Sequence, residues 1–215
     1  MRCCWISSMA TQALKPLSKA DRKREVILAA ALELFSRGGV DGASLDRVAE
    51  RADVSKTNLI YYYPSKDALY AAVLNNVLSL WLGPLDVIDP ANPPQQAIAS
   101  YIRQKIAFSR DHADASRLFC FEILYGAPVL GNRLRGMLQP VMEEKARVFE
   151  SWIASGQMAP VDPYQFFYSL WATTQHFADF ASQIEALSQR TLDDPAFFEE
   201  SVAHVTALFL ARLRP

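Results

Sequence analysis

Cysteine is scarce in this 215-residue chain, with only Cys3, Cys4 and Cys120. An odd, sparse set without paired spacing excludes a disulfide framework and the usual zinc-ligand patterns. It points to a reducing compartment and hence to a cytoplasmic protein. Histidine is equally sparse, three scattered residues, so no metal is expected. No apolar run approaches the roughly 18 residues needed to span a bilayer, so a membrane is not an expected partner. Short β-branched runs bounded by turns, the marks of strands, are missing, and so is any internal repeat. Nucleophile elbow, phosphate loop and HExxH spacing are absent too. Cys120 with His112 or His176 can be drawn as a nucleophile pair. However, Cys120 lies in the apolar helical run Leu118 to Leu124, where a cysteine is ordinarily inert packing. Neither an enzyme nor a cofactor is expected.

What remains is 51% hydrophobic and 21% charged, with a net charge of −1. That is enough apolar material for one or two compact domains with a sizeable core. The near-neutral total hides an asymmetry. Residues 1–70 carry a net charge of about +3 and residues 71–215 about −4. A mildly basic first third on an acidic body suits nucleic acid at one end only. The segment Met1–Ser8 is too short for a signal peptide's apolar core with its flanks. Met9 follows and is the expected true start, the first eight residues being a start-site artefact; a genuine extension is the alternative. Residues 1–17 as a whole are expected to be disordered. Lys15, Lys19, Arg22, Lys23 and Arg24 crowd the entrance of the first helix. They read either as a solvated face capped by Ser18 or as an arm along the DNA backbone or minor groove.

The chain is organised around Ser44 to Tyr70. Ser44 is a candidate N-cap, with Leu45, Val48 and Ala49 at helical spacing behind it. Ala52-Asp53-Val54 breaks the pattern, and Asp53 tolerates the left-handed backbone of a sharp corner. Ser55 caps the next helix, which buries Leu59 and turns Lys56, Thr57, Asn58 and Tyr61 or Tyr62 outward. Pro64 biases Tyr63 away from the helical region, and Ser65 starts another helix. Two short helices joined by a tight turn, the second with small polar side chains at its N-terminus, form a helix-turn-helix pattern. Short Lys, Thr and Asn side chains can reach base edges in the major groove. Tyr hydroxyls, Ser caps and free N–H groups suit phosphate oxygens. An ordinary helical corner of a globular domain would give the same pattern.

That stretch resembles the signature of the TetR family of regulators. The likeness lies in the apolar helix Val26 to Phe35, the Gly38-Gly39 stop, Val48-Ala49, Val54-Ser55-Lys56, Leu59, Tyr62 and Ser65-Lys66-Asp67-Ala68-Leu69. The family usually has Gly where this chain has Asp53. The resemblance implies an all-α protein with an N-terminal helix-turn-helix DNA-binding domain, residues 18–64, and a C-terminal helical ligand-binding and dimerisation domain, residues 65–215. It implies operator DNA as a partner, met by Ser44, Ser55, Lys56, Thr57, Asn58, Tyr61, Tyr62 and Lys66.

From Ser65 onward helical periodicity continues. Helices are expected over Ser65 to Leu82, Gln95 to Arg110, Asp114 to Tyr125 and about Asn132 to Ser155, the last with a kink at Pro140. Tyr164 to Leu187 is strongly apolar, and Asp193-Asp194-Pro195 opens a final helix running to Leu213. Phe166, Phe167, Leu170, Phe177 and Phe180, and then Phe197, Phe198, Val202, Val205, Leu208 and Phe209, spread widely around their helices. Such helices need partners on more than one side. They suit either a deep monomer core or a four-helix interface in a homodimer, and Phe177 and Phe209 are the positions expected to close it.

Inside this body Trp171 and Gln175 stand one turn apart, and Trp81 ends the connecting helix. A Trp face stacks on a flat ring, and a Gln amide offers a donor beside an acceptor. A planar heterocycle such as a pyrimidine base has the matching edge; Thr174, His176 and Asp179 are nearby polar candidates. Core packing would use the same residues. The stretches W-L-G-P-L, A-S-R-L-F-C-F-E-I-L-Y-G-A-P, M-A-P-V-D-P and W-A-T-T-Q-H-F-A-D-F are similar to pyrimidine-responsive members of the TetR family. That likeness implies a dimeric repressor of pyrimidine-utilisation genes that leaves its operator when uracil or thymine binds. It implies ligand contact from Leu78, Trp81, Trp171, Thr174 and Gln175. A TetR-type regulator of efflux or lipid metabolism, with a wide apolar pocket for a greasy ligand, is the alternative.

Overall fold

The computed structural model describes residues 18–211 and Leu213. The expectations for residues 1–17, the early start and Lys15 among them, fall outside it. Among the described residues all regular structure is helical. Helix α1 (Lys19–Phe35) starts on the Ser18 hydroxyl, which accepts from the Asp21 N–H. Serine hydroxyls open the next three helices in the same way: Ser44 for α2 (Leu45–Arg51), Ser55 for α3 (Lys56–Tyr62) and Ser65 for α4 (Lys66–Leu82). Each satisfies an N–H that has no partner inside its helix. Between α2 and α3, Asp53 takes a φ of 51°, the left-handed corner that a helix-turn-helix requires. Tyr63, ahead of Pro64, is extended at φ −136° and ψ 99°.

The body follows as α5 (Pro94–Asp111), α6 (Ala113–Leu124), a short α7 (Gly131–Arg133), α8 (Gln139–Ala154), α9 (Pro163–Asp179), α10 (Ala181–Ser188) and α11 (Pro195–Leu210). Two differences from the sequence expectation have local causes. The kink at Pro140 is a π turn over Leu134–Leu138 joining α7 to α8. Proline has no N–H to bond back and crowds the carbonyl four residues earlier, so the ladder widens just ahead of it. The Tyr164 to Leu187 stretch breaks at Phe180, whose φ of −117° and ψ of 27° end α9 and begin α10.

Helix α4 and the 3₁₀ turn behind it (Gly83–Val87) correct the expectation that no segment is apolar enough to span a bilayer. Lys66–Val87 reaches that length and a mean hydropathy of 1.4. Much of its apolar surface is nonetheless used in packing, because Leu69, Val73, Leu74, Val77 and Leu78 are buried in a core shared with α1 and α6. This first core extends from the helix-turn-helix past Ser65 to Trp81, and takes in Phe108, Ala115, Leu118 and Leu130. A second core joins α5, α8, α9 and α11 around Tyr101, Phe149, Trp152 and Phe167. Phe209 packs on Phe166 with ring centroids 5.3 Å apart, and Phe177 on Phe197 at 6.4 Å. Both phenylalanines make these contacts within one monomer, and Phe209 together with Phe166 also lines the open groove between α9 and α11. Large apolar side chains that reach the surface along this stretch include Tyr168 on α9, Phe180 at its end and Leu208 on α11.

Candidate effector pocket and DNA-reading head

A cavity of about 70 Å³ opens where α4, α5, α6 and α9 meet. One water needs about 10–15 Å³, so this space suits several waters or one small ring. Its wall is Leu78, Trp81 and Leu82 from α4, Leu85, Tyr101 from α5, Phe119 from α6, Leu138, and Trp171 and Gln175 from α9. Four of the five expected ligand residues are thus brought together. Thr174 is not among them. Gln175 and Thr174, one apart on a helix, do not face the same way, and Thr174 is fully buried, its hydroxyl donating to the Leu170 carbonyl at 2.9 Å. Its own carbonyl accepts from the Ser109 hydroxyl at 2.9 Å, so Thr174 ties α9 to α5.

The lining is apolar except at three points. Trp81 Nε1–H is buried without a hydrogen-bond partner. A buried donor left unpaired costs about 1–3 kcal/mol, which a ligand acceptor would relieve. Gln175 lines the cavity with an amide that offers one acceptor and two donor hydrogens. Tyr101 Oη accepts from Trp171 Nε1 at 2.8 Å, which leaves its own proton available. Burial pushes the Tyr101 hydroxyl far above its ordinary value, so it stays a neutral donor. Tyr101 was missed in the sequence reading because an aromatic at helical spacing reads as core; only its place opposite Trp171 reveals it.

The two indoles are used differently from expectation. The Trp81 ring lies nearly parallel to Phe119, 4.8 Å away at 22°. Lys105 Nζ stands 3.4 Å from the Trp81 centroid. Groups that close cannot share one face, so both faces are occupied and Trp81 offers the pocket its edge. Trp171 lines the cavity with its N–H already committed to Tyr101.

The pocket and the helix-turn-helix share α4 and α6. On α6, Phe119 faces the cavity. Its neighbour Phe121 fills the space beside Gly39, where a Cβ would stand 2.4 Å from the phenyl ring at a φ of +62°. Only glycine fits there. Glu122 is buried one residue further along. It accepts from Tyr70 Oη at 3.1 Å and from the N–H groups of Val129 and Leu130 at 2.6 and 3.0 Å.

On the reading head, Ser44, Ser55, Lys56, Thr57 and Tyr61 are exposed, Tyr61 by 82%, while Asn58, Tyr62 and Lys66 are partly covered. This resolves the Tyr61-or-Tyr62 alternative. Tyr61 is the outward ring, and Tyr62 packs against the first core with Arg24 over its face at 5.4 Å. Lys56 pairs with Asp46 at 3.0 Å and Lys66 with Asp41 at 3.5 Å, both at the surface. Such pairs are worth little in water, so both lysines can exchange a carboxylate for a phosphate.

Comparison with known proteins agrees with this anatomy. Residues 27–73 match the bacterial regulatory proteins of the tetR family, and residues 74–215 match the C-terminal region of YcdC-like proteins. The chain is 46% identical over 211 residues to the HTH-type transcriptional regulator RutR of Escherichia coli, covering 96% of this chain and all of that one. A putative transcriptional regulator from Streptomyces coelicolor superposes with a TM-score of 0.67 at 23% identity, over 90% of this chain and 99% of its own. AibR, solved with isovaleryl coenzyme A and operator DNA, superposes with 0.65 at 17% identity, over 86% and 97%. These two share the fold. The relatives are regulators, not enzymes.

Proposed function

The chain belongs to the TetR family of bacterial transcriptional regulators, and from that premise we propose that it is a dimeric repressor of pyrimidine-utilisation genes, released from its operator by uracil or thymine. The observation that carries this reading is the convergence of three polar groups in one small apolar cavity. Trp81 Nε1–H and the Tyr101 hydroxyl are donors for ring carbonyls, and the Gln175 amide matches an imide edge, while Trp171 supplies a flat wall. A long greasy effector would find about 70 Å³ too little and would leave the donors unpaired. The likeness to RutR over the whole chain supports the same assignment.

The DNA contacts are assigned to Ser44, Ser55, Lys56, Thr57, Asn58 and Tyr61 on the exposed end of α2 and α3, with Tyr62 and Lys66 at the rim. Two copies pair through the outer faces of α9 and α11, where Gln165, Ser169, Thr173 and Leu208 border an open groove of about 370 Å³. Ligand seated against Trp81 and Phe119 shifts α4 against α6. The Tyr70–Glu122 and Gly39–Phe121 contacts carry that shift to the reading heads. In a population-shift description the effector acts only through its preference for the non-binding arrangement. The test is operator binding with and without uracil, and a competing apolar dye as a control. Uracil that leaves the protein–DNA complex intact while the dye dissolves it would replace this effector assignment.

A further inference from the structure

Behind the pocket, α5 presents a second side chain one turn beyond Tyr101. Lys105 is buried, and its Nζ lies against the Trp81 face opposite Phe119. A buried lysine ordinarily sits on a carboxylate. The lysine ion pairs among the described residues are those of Lys56, Lys66 and Lys145. Asp179, on α9, acts on Lys105 only at longer range, and its carboxylate is engaged by the Ser116 hydroxyl at 2.7 Å. Helix α5 therefore holds both indoles of the pocket in two ways. Tyr101 takes the Trp171 N–H as a hydrogen-bond donor. Lys105 holds Trp81 by its face and leaves that N–H free.

We propose that Lys105 is a positioning residue of the effector site, whose ammonium fixes the Trp81 indole with its N–H edge toward the ligand, and that this hold is proton-linked. For the ligand it rests on the pocket reading above; for Trp81 it stands alone. Attraction to the ring face requires the charged amine. Burial pushes Lys105 down to about 7, and Asp179 opposes that only in part. The charge is thus present below neutrality and lost as pH rises through the neutral range. The other ionisable neighbours do not replace it. Cys120 on α6 is pushed up to about 11 by burial and by Asp179. Tyr101 is held neutral. His112, just past the end of α5, lies tilted against Phe108 with ring centroids 4.7 Å apart. On α4 the residue facing Lys105, Trp81, carries no titrating group.

The experiment follows the Trp81 indole N–H signal of the ¹⁵N-labelled protein, assigned with Trp81→Phe, from pH 6 to pH 9 in the parent, Lys105→Met and Lys105→Gln. The parent signal should move with a midpoint near pH 7, and neither variant should show that transition. Uracil affinity of the parent should fall several-fold from pH 6 to pH 8.5, while that of Lys105→Met should be low and flat. A Trp81 signal that ignores pH in the parent, or that titrates equally in either variant, overturns the proposal. A parent that shows the indole transition but does not bind uracil refutes the effector assignment and leaves the Lys105–Trp81 linkage standing.

Discussion

Glu122 and Tyr70 meet 3.1 Å apart inside the first core, one on α6 and the other on α4. The carboxylate also takes two backbone N–H groups, so it has three donors in a site away from water. Nearby charge and burial push the Tyr70 hydroxyl far up, burial being the larger cause, so it remains a donor over the whole physiological range. The pair joins the helix that leads from the reading head to the helix that lines the pocket. It is strong because every partner is satisfied.

Glu122→Ala should destabilise the fold, because the Val129 and Leu130 N–H groups and the Tyr70 hydroxyl lose their acceptor together. About 1–3 kcal/mol per orphaned group is expected, read as a lower urea midpoint at unchanged slope. Tyr70→Phe leaves the two backbone bonds in place and should cost less. It should also need more or less uracil for operator release than the parent, since it alters only the link between α4 and α6. Release at the parent's concentration would show that the signal does not pass through this pair.

Gln175→Leu keeps the side chain's volume and helix propensity near the parent's but removes donor and acceptor. An imide edge would then be buried without partners, at about 1–3 kcal/mol per group, or about ten- to more than a hundredfold in affinity. Operator binding without ligand should be unchanged. Titration of uracil into preformed protein–DNA complex decides the matter, and release at the parent's concentration would remove Gln175 from the pocket.

The local devices were legible from residue types alone: four serine caps, the Asp53 corner, the Pro64 break and the Trp171–Gln175 spacing all depend on near neighbours in sequence. The misread features depend on tertiary neighbours. Thr174 shares a helix with Gln175 but is fully buried, its hydroxyl bonded within α9 and its carbonyl to Ser109. Tyr101 and Lys105 look like core and solvated face until α4 and α9 are placed beside them. Trp81 was expected to stack on ligand, and it is Phe119 and Lys105 that cover its faces. An apolar helix also does not declare which of two adjacent apolar side chains points inward, as Phe209 and Leu208 illustrate.

On the reading head, Lys56→Ala should weaken operator binding and lower the salt slope by about 0.9 if one phosphate contact is lost. Asp46→Asn is the sharper variant. It removes the carboxylate that now competes for Lys56 and one negative charge from the DNA side. It should therefore tighten binding, most visibly at low salt. Weaker binding by Asp46→Asn would mean that this carboxylate orients Lys56 for contact and does not compete for it.

Assembly can be tested at two adjacent residues. Leu208 is 56% exposed on α11, and Phe209 is 9% exposed and packed on Phe166. Glutamate at Phe209 would place a charge in the second core without a partner, and such a change is met by unfolding. Glutamate at Leu208 leaves that core alone, because the side chain already meets the surface of the monomer. If two copies close over the α9–α11 groove, the charge at Leu208 lands in the dry centre of that interface. Leu208→Glu should then be a folded monomer with the parent's helix content and greatly reduced operator affinity, since one reading head makes half the contacts. Phe209→Glu should be insoluble or unfolded. Sedimentation beside circular dichroism separates the two outcomes. A Leu208→Glu protein that remains a dimer with full operator affinity would place the subunit contact on some other face.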